Sequence, residues 1–426
     1  MSMDKERLER LRKTTGVHLA MEAKETLRQM EEDFPVHPAA MQYFYEQFRI
    51  AYGSGGANED GRKRVGTLCV QVPEELVRAA GAVPVRLCSG AHAFDQVGAE
   101  FLPAKSCSLM KATLGMLSLR STAFSGTLDL VVNPTTCDQK KKAGELLEEF
   151  GYRVYNLEMP ASRDSEEARE YWHRSVKNFG AALERTTGVR ITKQRLADAI
   201  RATGLARAAY RRLHGLQQSR QALIRGTDAM LVTNAYFFDD LDRWTGAVNA
   251  LADELEDRQD RSVFVAGKHA ARILFTGSPP VFPNLKLPLL IEQAGGVIVA
   301  DEVCSSSRLL YDLAAYDEQA LYDMVPAVAD RALKPCTCPV FSSSQDRIRR
   351  LLDLAQTFSA DGVVYQTIAG CMPYDQEQRT VGRALAAANI PLLLVETDYG
   401  PDDHGQLSTR VEAFIESLRG KARKRA

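Results

Sequence analysis

The sequence predicts an α/β protein with two doubly wound domains, each built on a four-stranded parallel sheet, joined by a helical region. Short β-prone apolar runs alternate with helical segments in the first half of the chain, and the same order returns in the second half. Runs of this length are typical of strands that are buried on both faces of a parallel sheet. The runs are residues 65–72, 83–87, 128–132 and 154–159, followed by 272–276, 297–300, 363–368 and 392–396.

Changes in composition divide the chain into four parts. Residues 1–60 are predicted as N-terminal helices that end at the break Gly53-Ser54-Gly55-Gly56. Residues 61–160 form the first α/β domain, residues 161–265 a helical connector, and residues 266–426 the second α/β domain. The connector is predicted because charged residues are dense there and apolar residues such as Leu196, Ile200 and Leu213 recur at helical spacing.

Composition excludes several classes of protein. The 426 residues are 45% hydrophobic and 26% charged, and their formal net charge of -1 provides no basic field for nucleic acid or an anionic membrane. No apolar stretch is long enough for a transmembrane helix, and the charged N-terminus lacks the apolar core of a signal peptide. We therefore expect a cytoplasmic protein, in which cysteines are kept as thiols.

The common nucleotide-binding and hydrolase motifs are missing from the sequence. It contains no P-loop, no GxGxxG after a predicted strand, no GxSxG and no HExxH. ATP hydrolysis by a P-loop and nicotinamide or flavin binding by a Rossmann fingerprint are therefore not predicted.

Eight cysteines follow the predicted strands in a regular way. Most of them lie at or just beyond the carboxyl end of a run, and the two halves place them in matching positions. They are Cys69, Cys88, Cys107, Cys137, Cys304, Cys336, Cys338 and Cys371. Because ligands bind outside the carboxyl ends of strands in open parallel sheets, we expect these thiols to converge on a cleft between the two domains.

The chemistry of thiolates suggests what the cleft binds. Soft thiolates select iron–sulfur clusters, zinc or copper(I). Structural zinc sites usually contain CxxC pairs, whereas this sequence has only the CxC pair of Cys336 and Cys338. Cys137 opens a predicted helix, where the helix dipole favours a thiolate. The alternative is a set of buried structural thiols, since free cysteine is often buried.

Specific strings flank the cysteines. They are VGTLC at 65–69, VPEEL at 72–76, AGAVPV at 80–85, ETDY at 396–399 and GQLSTRVEAF at 405–414. Together they resemble the 2-hydroxyacyl-CoA dehydratase and benzoyl-CoA reductase superfamily, over residues 60 to 418. The resemblance implies that Cys107, Cys137 and Cys371 are the three cysteines of one cubane.

Two further strings are similar to one branch of that superfamily. TCDQKKK at 136–142 and PCTCP at 335–339, with Asp346-Arg347 after it, resemble the double-cubane cluster proteins. This resemblance implies an [8Fe-9S] cluster of two cubanes joined by one sulfide, with three cysteines to each cubane. It also implies a homodimer that reduces small-molecule substrates at low potential. The electrons would come from a separate ATP-dependent iron–sulfur reductase, an activator-type protein.

The number of cysteines favours two cubanes over one, because a single cubane would leave five thiols unused. For the second cubane the resemblance leads us to predict Cys69, Cys304 and Cys338 as ligands. Cys336 could replace Cys338, and Cys88 could replace Cys69. Ser278 stands where relatives often have cysteine, which removes one candidate.

Lysines after Cys137 provide positive charge next to the predicted cluster. Lys140 and Lys141, with Lys142, are predicted to offset the negative charge of the cofactor, and a docking patch for the reductase is the alternative. Two other functions stay open. One is a subunit of a 2-hydroxyacyl-CoA dehydratase with a single [4Fe-4S] cluster, and the other is a non-enzymatic electron carrier or scaffold.

Overall fold

The computed structural model describes residues 5–53, 61–122 and 125–425. Within these residues eight strands form two four-stranded sheets, and each of the eight predicted runs overlaps one of the strands. The first sheet comprises β1 (Arg64–Thr67), β2 (Val83–Arg86), β3 (Leu130–Pro134) and β4 (Val154–Leu157). The second comprises β5 (Ala271–Gly277), β6 (Gly296–Glu302), β7 (Gly362–Ile368) and β8 (Leu392–Thr397). The predicted break at Gly53-Ser54-Gly55-Gly56 lies, beyond Gly53, outside the described residues.

Sixteen helices surround the sheets in the part of the chain that the structure describes. The first eight are α1 (Lys5–Glu32), α2 (Met41–Tyr52), α3 (Glu74–Ala79), α4 (His92–Gly98), α5 (Ser108–Leu119), α6 (Asp138–Glu149), α7 (Glu166–Thr187) and α8 (Lys193–Leu216). The others are α9 (Gly226–Ala235), α10 (Leu241–Asp260), α11 (Lys286–Gln293), α12 (Ser307–Leu310), α13 (Leu321–Leu333), α14 (Gln345–Thr357), α15 (Met372–Ala387) and α16 (His404–Arg425).

The two sheets share one topology. Every strand pair is parallel, and the strand orders are β2-β1-β3-β4 and β6-β5-β7-β8. The prediction of two four-stranded parallel sheets is thus confirmed. In each sheet the second strand lies on one side of the first, and the third and fourth strands lie on its other side. The strand order therefore reverses between β1 and β3 in the first sheet and between β5 and β7 in the second. Such a switch point opens a crevice at the carboxyl ends of the strands.

The central strands of each sheet are buried on both faces, which explains why they are continuous apolar runs. Leu130 and Val132 of β3 belong to a core with α3, α7, α8 and α13, whereas Val131 faces a core with α4, α5 and α6. In β5, Leu274 packs towards α14 and α15, and Phe275 packs towards α11 and α16. Successive side chains therefore enter opposite cores, as the pleat of a strand requires.

One helix crosses from the second half of the chain to the first domain. α13 follows β6 in sequence, but its Met324 and Val328 pack in the core of α7 and α8, and Trp172 donates an indole hydrogen bond to the Ala329 carbonyl over 2.8 Å. The chain after α13 contains Cys336 and Cys338, so this crossing places them beside the first sheet. Among the described residues, no helix combines the length and apolar character needed to span a membrane.

Candidate metal centre

Three of the predicted ligands occupy equivalent positions at helix N-termini. Cys107, Cys137 and Cys371 are the N-cap residues of α5, α6 and α15, which are 12, 12 and 16 residues long. The first turn of a helix leaves its N–H groups without partners inside the helix and carries a partial positive charge. Three helix N-termini from two domains thus supply the type of environment that stabilises thiolates and anionic groups.

The loop at Gly370 docks directly on Cys107 and so brings the two domains together. The Gln139 side chain accepts a hydrogen bond from the Cys107 N–H over 3.0 Å and donates one to the Gly370 carbonyl over 3.2 Å. Gly370 has a φ of +78°, and a Cβ there would lie 2.8 Å from the Cys107 nitrogen. Only glycine allows this approach, because any other side chain would overlap the neighbouring backbone.

The thiols of Cys107 and Cys371 contact each other across the domain boundary. Cys371 donates to the Cys107 sulfur, and this bond, with the N–H groups of Met110 and Leu109, lowers the pKa of Cys107 below its usual value. The same bond raises the pKa of Cys371, which burial reinforces. Ser278 adds a hydrogen bond to Cys371 and accepts one from the Ile368 N–H over 3.0 Å. Ser278, which cannot itself provide a thiolate, therefore stabilises the predicted ligand Cys371 by a hydrogen bond.

The remaining five cysteines form a second group, whose members lie close enough to affect one another electrostatically. Cys69 and Cys88 come from the first sheet, Cys304 follows β6, and Cys336 and Cys338 follow α13. Burial, reinforced by the nearby Cys336, Cys69 and Cys304, raises the pKa of Cys338 well above its usual value. Burial likewise raises the pKa of Cys336 to about 11. The predicted trio of Cys69, Cys304 and Cys338 thus lies within one electrostatic neighbourhood, beside both alternative ligands.

Arg86 joins the second group across the two domains, and sequence analysis missed it. Its guanidinium lies 3.5 Å from the Cys88 sulfur and 3.7 Å from the Cys304 sulfur, donates to the Cys304 carbonyl over 2.8 Å, and stacks on Phe237. Burial opposes ionisation of Cys88, but Arg86 and Lys140 outweigh it and lower the pKa of that thiol. The signal available in the sequence was an arginine at the carboxyl end of β2, two residues before Cys88.

The two predicted lysines lie in different environments. Lys140 is half-buried, donates to the Leu68 carbonyl and is flanked by Cys69, Cys88, Cys137 and Cys304, whose charges raise its pKa although burial opposes them. Lys141 is exposed and pairs with Asp138, which is more exposed still, over 3.1 Å. Lys142 is also exposed and pairs with Glu145. The structure thus places one lysine of the three among the thiols.

The donor set fits an iron–sulfur group. All eight cysteines are free thiols, and among the described residues no three Cys, His, Asp or Glu side chains are arranged to hold one metal ion. The negative charge of an iron–sulfur group is matched here by the half-buried cations Arg86 and Lys140, by the buried Arg308 and by three helix N-termini.

Two narrow pockets approach the thiols from either side of Arg86 and Phe237. One reaches Cys88 and the other reaches Cys69, and each has a free volume of about 30 Å³. This volume is close to that of one water molecule. The first pocket is lined mainly by apolar and aromatic side chains, among them Phe48, Phe94 and Phe238.

Comparison with known proteins identifies the family of this chain. Residues 69–418 match the family model described as 2-hydroxyglutaryl-CoA dehydratase, D-component. The chain belongs to the 2-hydroxyglutaryl-CoA dehydratase D-component family. The match covers most of the chain and includes all eight cysteines.

Curated relatives of this family extend the comparison. "Putative dehydratase subunit YjiM" of Escherichia coli (strain K12) is 31% identical over 382 residues, which is 88% of this chain and 97% of the relative. The (R)-phenyllactyl-CoA dehydratase beta subunit of Clostridium sporogenes is 25% identical over 84% of this chain and 93% of its own length. A subunit of the benzoyl-CoA reductase of Thauera aromatica is 21% identical over 79% of this chain and 85% of its own length. The predicted superfamily is thereby confirmed.

Proposed function

We propose that this protein holds a double-cubane [8Fe-9S] cluster in the cleft between its two α/β domains and uses it to reduce small molecules at low potential. In this proposal Cys107, Cys137 and Cys371 bind one cubane. Cys69, Cys304 and Cys338 bind the other, and an ATP-dependent iron–sulfur reductase supplies the electrons to a homodimer. The observation that supports it most is the presence of a second group of five thiols beside the three cysteines at helix N-termini.

The environment of the cleft suits a strongly reducing group. The cluster would supply one-electron chemistry at low potential, and the protein would supply binding, orientation and electrostatics. Arg86 and Lys140 place positive charge next to both groups of thiols. The narrow pockets that reach Cys88 and Cys69 restrict access to the thiols, which favours a small substrate.

Anaerobic iron and acid-labile sulfide analysis tests the proposal. The reconstituted wild-type protein is expected to contain about eight iron and about nine sulfide per chain. Turnover of a reducible small molecule should require the reductase and ATP. Protein that stays colourless and iron-free after anaerobic reconstitution would refute the cluster proposal.

A dehydratase subunit with one [4Fe-4S] cluster is the second candidate function, because the relative from Clostridium sporogenes is named as a dehydratase beta subunit. In that case about four iron are expected per chain. The three cysteines at helix N-termini would then be sufficient as ligands, and replacing Cys304 or Cys338 would leave the iron content unchanged.

Lys140 and Lys141 offer a matched pair for testing the electrostatics of the site. Lys140→Gln is expected to lower the midpoint potential of the cluster by on the order of 50 mV, about 1 kcal/mol for one electron, because it removes a positive charge among four thiols. Lys141→Gln is expected to leave the potential within error, because its ammonium is exposed and paired with Asp138. A redox titration monitored by electron paramagnetic resonance measures both. Equal shifts in the two variants would contradict this assignment.

A further inference from the structure

The hydroxyl of Tyr399 is buried beside the thiols of Cys107 and Cys371. Tyr399 lies two residues beyond β8, at the carboxyl edge of the second sheet, and its side chain is 4% exposed. Its ring packs in the same apolar core as Cys107 and Phe94, and Cys371 lies at the margin of that core. Among the described residues, no group forms a hydrogen bond with its hydroxyl.

Such a hydroxyl is unusual, because leaving a buried donor without a partner costs about 1–3 kcal/mol. A tyrosine in the same core shows the common arrangement: the Tyr152 hydroxyl contacts the carbonyls of Leu117 and Ser125 over 2.9 and 3.0 Å. Asp95, a carboxylate whose charge acts on Tyr399, is paired with Lys111 over 3.2 Å. The unpartnered hydroxyl belongs to a side chain in the core that contains Cys107 and borders Cys371.

Burial, and then the charges of Cys107, Cys88, Asp95 and Cys371, raise the pKa of Tyr399 well above its usual value. An ordinary phenol, with a pKa of about 10, is already protonated at neutral pH and can donate a hydrogen bond to an anionic group. Cluster sulfurs accept hydrogen bonds, and such bonds are among the factors that set the reduction potential of an iron–sulfur centre.

We infer that the Tyr399 hydroxyl donates a hydrogen bond to a sulfur of the cluster bound by Cys107 and Cys371. The inference rests on the proposed cluster. The donor partly neutralises the added electron, so it makes the cluster easier to reduce. It also gives the buried hydroxyl the partner that the protein itself does not provide.

The test compares Tyr399→Phe with the control Tyr152→Phe, in cluster-free and in cluster-loaded protein. Tyr399→Phe should leave the stability of the cluster-free protein unchanged or slightly higher, because it removes an unpartnered polar group. In the loaded protein it should shift the midpoint potential to a lower value. Tyr152→Phe should lower the stability of both forms and leave the potential unchanged.

Two measurements separate hydrogen bonding from packing. Difluorotyrosine at position 399 is a stronger donor than tyrosine, so it should shift the potential upwards, opposite to phenylalanine. The reduced wild-type cluster should also show a proton hyperfine coupling that disappears in D₂O and in Tyr399→Phe. Neither result follows from a purely structural role of the ring.

Each outcome is decisive. If the wild-type protein binds no cluster, the proposed function fails and this inference fails with it. If the cluster assembles but the potential and the proton coupling of Tyr399→Phe equal those of the wild type, only the role of Tyr399 is overturned. A loss of stability in cluster-free Tyr399→Phe as large as that in Tyr152→Phe would also overturn it, because the hydroxyl would then have a protein partner.

Discussion

Replacing Cys338 by alanine is expected to remove about half of the bound iron, whereas Cys336→Ala is expected to retain nearly all of it. The Cys336 sulfur already accepts a hydrogen bond from Gln71 Nε2 over 3.2 Å and is buried in the apolar core of the first domain. Cys338 is half-buried, and Cys69 and Cys304 are both close enough to raise its pKa. We therefore expect Cys336 to have a structural role and Cys338 to be the ligand of the pair.

Anaerobic iron and sulfide analysis of both variants, with wild type alongside, measures this difference. Cys336→Ala is also expected to lower the stability of the cluster-free protein, since it removes a buried sulfur from a packed core. If Cys338→Ala keeps its iron while Cys336→Ala loses half, the two residues exchange roles. Iron analysis of Cys69→Ala and Cys88→Ala decides in the same way which of these two residues is a ligand.

The strands were predictable because the sheets are buried on both faces. The last strands of the two domains, β4 and β8, were found as short runs, although their burial is less complete. The prediction extended the first run to residue 72, but β1 ends at Thr67. Beyond it the side chains of Leu68, Val70 and Val72 are buried by helices instead. Apolar character alone does not show where a ladder of hydrogen bonds ends.

The candidate site was predictable only in outline. Strand order places residues at the carboxyl edge of a sheet, so the cysteines could be assigned to a cleft. The partners of Arg86 could not be predicted from the sequence, because its contact with Cys304 joins residues 218 positions apart. Lys140 and Lys141 differ for a simpler reason. Neighbouring residues of an α-helix point about 100° apart, so only one of the two can face the thiols.

A buried carboxylate links the first domain to the helices that pack on it. Glu75 in α3 lies 2.9 Å from Arg207 in α8 and 2.7 Å from Arg331 in α13, and it is fully buried. Burial alone would raise the pKa of Glu75, but Arg331 and Arg207 outweigh it and lower the pKa to about 2. Arg207 also pairs with Glu74 over 2.6 Å. Since α13 precedes Cys336 and Cys338, this network also supports their position.

Glu75→Ala is therefore expected to lower the free energy of unfolding by about 3–5 kcal/mol, because it leaves two buried guanidinium groups without part of their countercharge. Urea unfolding of the cluster-free protein measures the effect. The control is Glu256→Ala, which breaks an exposed pair with Arg212 and should cost at most about 1 kcal/mol. Similar losses in the two variants would show that Glu75 adds little beyond a surface pair.

The pH dependence of stability tests the same ion pairs independently. The folded pKa of Glu75 lies below its ordinary value of 4.5, so its contribution is complete above that pH and is lost as the pH falls towards about 2. Glu75→Gln keeps the shape of the side chain but cannot ionise. The difference in unfolding free energy between wild type and Glu75→Gln should therefore shrink as the pH is lowered below about 4.5. A difference that stays constant with pH would mean that the carboxylate acts by shape and hydrogen bonding, without its charge.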